Sequence, residues 1–497
     1  MIRDFETWNN NIGESANLSD LKDTQVGIEA ADYLLHHIIN HPHGREPLVA
    51  ALGGVHHGLR QHVEDDLNVF KFFQIQPLFV FSGIDVPARH DDPFRQRTEG
   101  AMVNGNAWSL YDNHQAEQSV LKFGESPYVI PEDLFRAFQQ ILFENDVQFL
   151  VAPYSSWAQL AELERQKSVS AIAGSSEIFL FECDKLITSW DFPAKTFRFI
   201  SKAKCIADLE KYGNGTKVSE DIFVDACLLA GVSYLNTIPN LEAPSRNKAI
   251  KPHGAIDLIN NGGRTGYQVV LNNQDDPKLR SMKYPEKYRL ARMAIKHMPI
   301  ITVDGNVAPL HEDSVPKDAH EFISQRLPNE IHHYHSRGLI NSRVLSWRVY
   351  SEIIEPPPVD GGDSQAYQDL VGSLLSPLRT TTLTLLSTPL HNWYTHKNLT
   401  LKCWFPGSDG KPHTSTISTG PAKEMSRIVE SWNVKEATFK DAVAAHKTSG
   451  PLGAAILALQ DADFVSRSNG SKDPKNVSYK WIENSLQFTD ILSSSRR

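Results

Sequence analysis

The residues best placed to do chemistry in this sequence are those that end its short apolar runs. QVGIE, Gln25–Glu29, ends in a carboxylate, and PLFVF, Pro77–Phe81, ends against Ser82 and Gly83. The stretch FLVAPYSSWAQLA, Phe149–Ala161, reads as a strand, a break at Ala152-Pro153, then a helix that opens on Ser155 and Trp157. Carboxylates converging at the C-terminal ends of neighbouring parallel strands would hold a pair of divalent cations and activate water for phosphodiester cleavage. Mg²⁺ is hard and takes oxygen donors, chiefly carboxylates. Glu29 alone is a poor beginning for such a site. Serine is neutral and gives poor compensation for a dication. Asp32 and Glu177 lie nearby in sequence, but Asp32 suits the first turn of a helix, facing its dipole, and Glu177 sits in the wrong frame.

Other candidate side chains are weaker. In the run HHYH, His332 and His335 would share a helix face, yet no carboxylate or cysteine completes a ligand set, so ordinary helix positions are expected there and at His36-His37 and His56-His57. The run NNGGRTG, Asn260–Gly266, has glycines like a phosphate loop but lacks the strand before it and the Lys-Ser/Thr after it, and reads as a turn. Arg89, Arg95 and Arg97 follow the Ser82 strand, with Trp108 and Tyr111 beyond them. Cations for phosphate and rings for stacking make these the candidate RNA contacts. The competing reading is a solvated helix with core aromatics. Lys195, Arg198, Lys202 and Lys204 form a second, smaller basic cluster.

The elements that must position these residues alternate, strand then helix, through the first half. That pattern marks an α/β domain with a mainly parallel central sheet flanked by helices. Strands are expected at 25–29, 77–81, 148–151 and 169–173, with a hairpin-like pair near 178–181 and 197–200. Helices are expected at 30–40, 51–73, 131–145, 157–165, 203–209, 219–229, 255–260 and 280–297. Asp304–Pro316 reads as a linker. Beyond it, helices at 319–325 and 329–337, the break EPPPVDGGDS at 355–364 and the strand NLTLKCWF at 398–405 make a smaller mixed α+β domain. The expected domains are therefore 1–300 and 317–497, with a partly helical pattern near 477–492.

At 497 residues the chain exceeds one ordinary core. Its 40% hydrophobic and 22% charged residues are those of a globular protein, and no apolar run reaches the length of a membrane span. The polar start MIRDFETWNNN is neither a secretory signal nor a mitochondrial presequence. Cys183, Cys205, Cys227 and Cys403 lie too far apart for zinc pairs and are expected to be reduced and buried. A net charge of −9 excludes a uniformly basic surface but not a local basic patch.

The order of motifs resembles that of flap-endonuclease-type (XPG-type) nucleases, a PIN-like fold. Their I-D-A-S appears as Ile28-Glu29-Ala30-Ala31, and P-x-x-V-F-D-G as Pro77–Gly83, with Pro87 one residue later than usual. V-A-P-x-E-A-E-A-Q appears as Val151–Gln159, A-V-A-S-E-D-x-D as Ala171–Ile178, and L-x-G-x-D-Y as Leu229–Tyr234. The resemblance places the family's metal carboxylates at Glu29, Ser82, Ser155, Trp157, Ser176, Ile178 and Ser233. It implies a degenerate active site with no metal, no cofactor and no catalytic residue. The glycines of the phosphate-gripping G-I-G-x-K-x-A turn are also missing from Ile238–Ala243, which puts duplex tracking in doubt.

A narrower resemblance rests on VAPYSSW with QLA, on FVFSG, on Asp191–Phe199, on Asp318–Gly338 with LPNEIHHYHSRGL, and on Glu355–Gly362. These segments resemble the killer-toxin-maintenance family of fungal post-transcriptional regulators, over most of the chain to about residue 400. The resemblance implies cytoplasmic work on messenger RNA, in mRNA–protein granules, and effects on translation or transcript stability. It also implies a partner of the ataxin type that binds poly(A)-binding protein. Family members continue into a further C-terminal domain, and this chain is expected to stop before it. The expected function is that of a catalytically degenerate, RNA-associated regulator and scaffold with no membrane attachment. The alternatives are an active structure-specific metal-dependent nuclease built on Glu29, or a protein-interaction module without affinity for nucleic acid.

Overall fold

The computed structural model describes residues 1–40, 47–86, 92–126, 132–213, 215–241, 250–317, 327–387, 390, 394, 397–406 and 412–417. Its centre is a sheet of strands β1 (Glu14–Asn17), β2 (Gln25–Glu29), β3 (Gln76–Phe81), β4 (Gln148–Val151), β5 (Ala171–Ala173), β6 (Lys185–Asp191) and β7 (Thr196–Ser201). Their spatial order is β1-β7-β6-β5-β2-β3-β4. From β6 through β4 every pairing is parallel, and β7 and β1 close one edge antiparallel. Helices on both faces explain why the parallel strands read as unbroken apolar runs.

One face shows how sequence becomes packing. Helix Glu132–Glu144 carries Leu134, Phe138, Ile141 and Leu142 at helical spacing, and all four are buried. The Phe138 ring stacks on Tyr33 at 5.4 Å and meets Phe79 edge-on at 5.0 Å. Tyr33, just after β2, sends its hydroxyl to Asp66 Oδ2 at 2.7 Å, which ties helix Leu59–Phe72 to the same cluster. These contacts fix the heights of β2 and β3, and hence the positions of the residues at their ends.

Most strands fall where the sequence places them; several other elements do not. The helix expected from residue 51 begins at Leu59, after a turn in which Gly53 has φ +77°. The helix after β2 widens at Leu34–Ile39 into a π-helical turn. Ser176–Leu180 is not a strand but a 3₁₀ turn with all five residues buried, so β7 pairs instead with β6. Its apolar content serves burial under a cap, with Ser175 as the capping residue. The helix expected over 280–297 breaks at Lys283, where φ is +50°, and resumes at Tyr284. The expected linker, 304–316, holds the second strand of a short hairpin, Val307–Pro309, whose partner Pro299–Ile301 precedes it. The calls at 319–325 and 477–492 lie outside the described residues.

By contacts the chain divides into Met1–Asp369 with Thr400–Ser415, and Leu370–Leu399 with Thr416–Arg497. The region 317–497 is thus shared between two units. In the second, a π-helical turn at Val371–Leu375 runs into helix Ser376–Ser387.

Phe138 touches three aromatic rings and is fully buried. Phe138→Ala is expected to lower unfolding free energy by about 3–5 kcal/mol, read as a fall in the urea midpoint without a change in slope.

Candidate functional site

The sheet order reverses beside β2: the chain runs from β2 outward to β3 and β4, then returns to place β5 on the other side of β2. Open α/β sheets bind ligands beyond the strand ends at such a switch point. Here the crevice is a cavity of about 390 Å³ whose lining includes Ile28, Asp32, Ala173, Ser175 and Ser176.

Glu29, the last residue of β2, follows the lining residue Ile28 and is only 4% exposed. Trp157 donates its indole N–H to Glu29 Oε1 at 2.6 Å, and the Ser175 backbone N–H reaches Oε2 at 2.9 Å. Trp157 is itself buried, with its ring edge-on to Tyr234 at 5.7 Å. A side chain at the fourth-motif glycine would strike this carboxyl: a Cβ on Gly174 would lie 2.6 Å from Glu29 Cβ and 2.8 Å from Oε2. Burial pushes the Glu29 pKa up to about 8, with Asp32 adding to the rise, while the Ser175 and Trp157 donors pull against it. Burial also raises half-buried Asp32 to about 7. Burial thus favours the protonated form of both carboxyls.

The remaining positions have taken structural work. Ser82, exposed at the end of β3, places Oγ 2.8 Å from Ser156 Oγ and accepts the Ser156 N–H at 3.3 Å. Helix Ser156–Arg165 is thus capped from the neighbouring strand, since buried Ser155 makes no side-chain cap of its own. Ser176 Oγ accepts the Ile2 N–H at 2.9 Å, and Ile178 is wholly buried. Ser233 presents its backbone N–H to Glu177 Oε1 while its own buried Oγ has no partner. Glu177 is buried too and pairs with the Met1 amine at 2.8 Å. Although out of frame, it faces the same crevice closely enough to act on Glu29. Among the described residues no group of three or more His, Cys, Asp or Glu is arranged to hold a metal ion.

The candidate RNA contacts are scattered. Arg89 lies outside the described residues. Arg95 is exposed on helix Asp92–Asp112 and pairs with Glu99 at 3.4 Å, whereas Arg97 is half-buried. Trp108, 37% exposed, donates its indole N–H to Asp360 O at 2.7 Å and packs edge-on to Phe123. Its edge is thereby fixed to protein. Tyr111 is 56% exposed. Of the second basic cluster, Lys202 is buried and donates to Phe181 O at 3.0 Å, so it supports the fold.

Two features escape sequence reasoning. The first is Asp225, buried in helix Glu220–Ala230, which accepts from Gly266 N at 2.9 Å, Tyr288 OH at 2.7 Å and Arg292 Nε at 3.0 Å. An acid inside the apolar run IFVDACLL was its only signal. The second is a strap, residues 329–360, that covers the end of β3. His335, buried and held neutral by burial with a pKa of about 3, lies against Gly83, where a Cβ would come within 2.6 Å of its ring. Asp85 N–H donates to Ser346 Oγ at 3.0 Å, Tyr350 OH to Asp85 O, Asn341 Nδ2 to Glu132 Oε1 at 2.8 Å and Arg136 to Gly338 O at 3.0 Å. His332 and His335 are thus packing residues.

Residues 316–405, which include the strap, match the family profile MKT1_N, described as a temperature dependent protein affecting M2 dsRNA replication. The chain is 30% identical over 412 residues to the post-transcriptional regulator MKT1 of Cryptococcus neoformans, covering 79% of this chain and 52% of that protein. The chain is a relative of the MKT1 post-transcriptional regulators. Identity to the Saccharomyces cerevisiae MKT1 regulator is 23% over 489 residues, covering 78% of this chain and 57% of that one. The chain spans about half the length of the curated MKT1 proteins it matches. Among solved structures, the catalytic core of Rad2 in complex with DNA substrate aligns at 15% identity and a TM-score of 0.40, over 68% of this chain and all of that one. The chain's own topology is a mostly parallel central sheet flanked by helices.

The raised Glu29 pKa fixes a sign. Between about 4.5 and 8 the folded chain holds a proton that the unfolded chain releases, so stability falls as pH rises through that window, by up to about 1.4 kcal/mol per pH unit for each such group. Asp32 and Asp66, both raised to about 7, contribute lower in the window. Glu29→Gln is expected to flatten the slope most between pH 7 and 8 in denaturant titrations. An unchanged slope there would contradict a buried, protonated Glu29.

Proposed function

We propose that this chain is a non-cleaving member of the nuclease fold that holds RNA and serves as a scaffold in post-transcriptional regulation. The observation that carries the first half of this reading is the Trp157 indole bound to the one retained carboxyl, Glu29, at 2.6 Å. A two-metal reaction needs ionised carboxylates open to cations. Here the surviving acid is buried, protonated near neutrality and engaged by two donors, and serines at the other positions are spent on capping and packing. The second half is supported by the names of the three relatives with the widest match, which are post-transcriptional regulators, whereas exonuclease 1 and flap endonuclease relatives match shorter parts of the chain.

On this reading the chain works in the cytoplasm and in mRNA–protein granules, and a partner of the ataxin type that binds poly(A)-binding protein brings it to transcripts. Its influence falls on translation or stability of the bound message.

The test is to incubate the chain with labelled single-stranded RNA and with a DNA flap, in Mn²⁺ or in chelator, scoring retention and cleavage together. RNA is expected to be retained uncut in both conditions and released by salt, with a slope of about −0.7 per phosphate contact. Mn²⁺-dependent cutting abolished by Glu29→Ala would overturn the non-cleaving reading. Retention of no nucleic acid under any salt condition would leave a protein-interaction module instead.

A further inference from the structure

The strap completes a second pocket, distinct from the Glu29 crevice. Its volume is about 290 Å³, and its lining includes Ser82, Phe94, Arg97, Phe135, Arg343 and Trp347. Arg97 comes from helix Asp92–Asp112 and Arg343 from helix Ser342–Tyr350 of the strap, 246 positions later in the chain.

Two guanidinium groups facing one small pocket repel each other, and partial burial strips each of water. Burial lowers the pKa of both, and for Arg97 the second cause is Arg343 itself. Structural arginines in such settings are normally neutralised by a carboxylate fork. Arg97 has no hydrogen bond or ion pair among the described residues. Arg343 donates to Ile354 O at 3.2 Å and lies over the Trp347 ring at 4.8 Å. Glu132 and Asp85 line the pocket as well and both act on Arg343, Glu132 the more strongly, while Glu132 Oε1 also accepts from Asn341 Nδ2 at 2.8 Å; neither acid forms an ion pair with Arg97. Lys402 Nζ lies 5.1 Å from the centre of the Phe94 ring, adding a third cation beside the pocket.

We propose that Arg97 and Arg343 form a phosphate-binding subsite that takes one nucleotide unit of single-stranded RNA, with Phe94 and Trp347 offering ring surface to its base. Charge selects an anion, and the planar forks suit phosphate oxygens. The apolar rings favour a nucleotide over a bare phosphate or a phosphorylated side chain. The volume, near the lower end of the range of about 300–1,000 Å³ for ligand pockets, suits one nucleotide rather than a stretch of strand. The strap arginine distinguishes this site from anything the nuclease frame alone could build. The inference deepens the RNA reading above and rests on it.

The test is fluorescence anisotropy of the full chain with a short single-stranded oligoribonucleotide, with and without a 5′-phosphate, competed by uridine 5′-monophosphate or by inorganic phosphate. Arg97→Gln should fold as the parent does, because no partner is lost, and should weaken binding by about 10–100-fold, the effect of one charge-assisted contact. Its salt slope should be shallower by about 0.7. Arg343→Lys keeps the charge but loses the fork and the stacking on Trp347, and should also weaken binding. Uridine 5′-monophosphate should compete better than inorganic phosphate, and equal competition would sink the base-stacking part. RNA held equally by the parent and by both variants would overturn the subsite while leaving the RNA reading intact. Binding of the monophosphate without RNA would support the subsite and sink that reading. Binding of neither would overturn both.

Discussion

A carboxyl group buried at the switch point of a parallel sheet must be met by hydrogen-bond donors or by cations. In this chain the Trp157 indole N–H and the Ser175 backbone N–H meet Glu29. The consequences run outward from that contact. Burial raises the Glu29 pKa, while the two donors pull against the rise. The neighbouring strand ends carry serines. Small hydroxyls there can cap helix Ser156–Arg165 and bind the chain's first residues, as Ser82 and Ser176 do. Gly174 keeps the approach of β5 close enough for the arrangement to fit.

The parts of this arrangement that were legible in the sequence are those with local causes. Apolar runs at 25–29, 77–81 and 148–151 are strands because nothing else buries both faces of so short a segment. The Ser and Trp at the strand ends could be read directly, and Trp157 is buried against Glu29. What was not legible depends on distant partners. Ser176–Leu180 has the composition of a strand, yet it folds as a buried turn because Ser175 caps it and the edge beside β6 is taken by β7. Glu177 was discounted by its frame, although the turn brings its carboxyl round to the crevice. The anchoring of Trp108 was not legible for a similar reason: the acceptor of its N–H is Asp360, 252 residues away.

The strap and Asp225 illustrate two ways of joining helices to a sheet. Asp225 is a buried charge kept by three donors from three directions, which stabilises one geometry and penalises the loss of any donor. The strap instead uses several modest contacts, many to main-chain groups: the carbonyls of Gly338, Val359 and Asp360, and the amide of Asp85. Backbone acceptors are supplied by any residue. Such docking depends on the path of the chain more than on its side chains.

That dependence has a consequence in time. A ribosome adds about 5–20 residues per second. The sheet is complete once β7 has emerged at Ser201, but the last strap contact waits for Asp360. The interval is roughly 10–30 s at that pace. Throughout it the end of β3 is uncovered and the side of the second pocket supplied by Arg343 does not yet exist. A nascent chain is therefore a different object from the finished one, with an open sheet end for chaperones to find and no paired arginines to hold an anion.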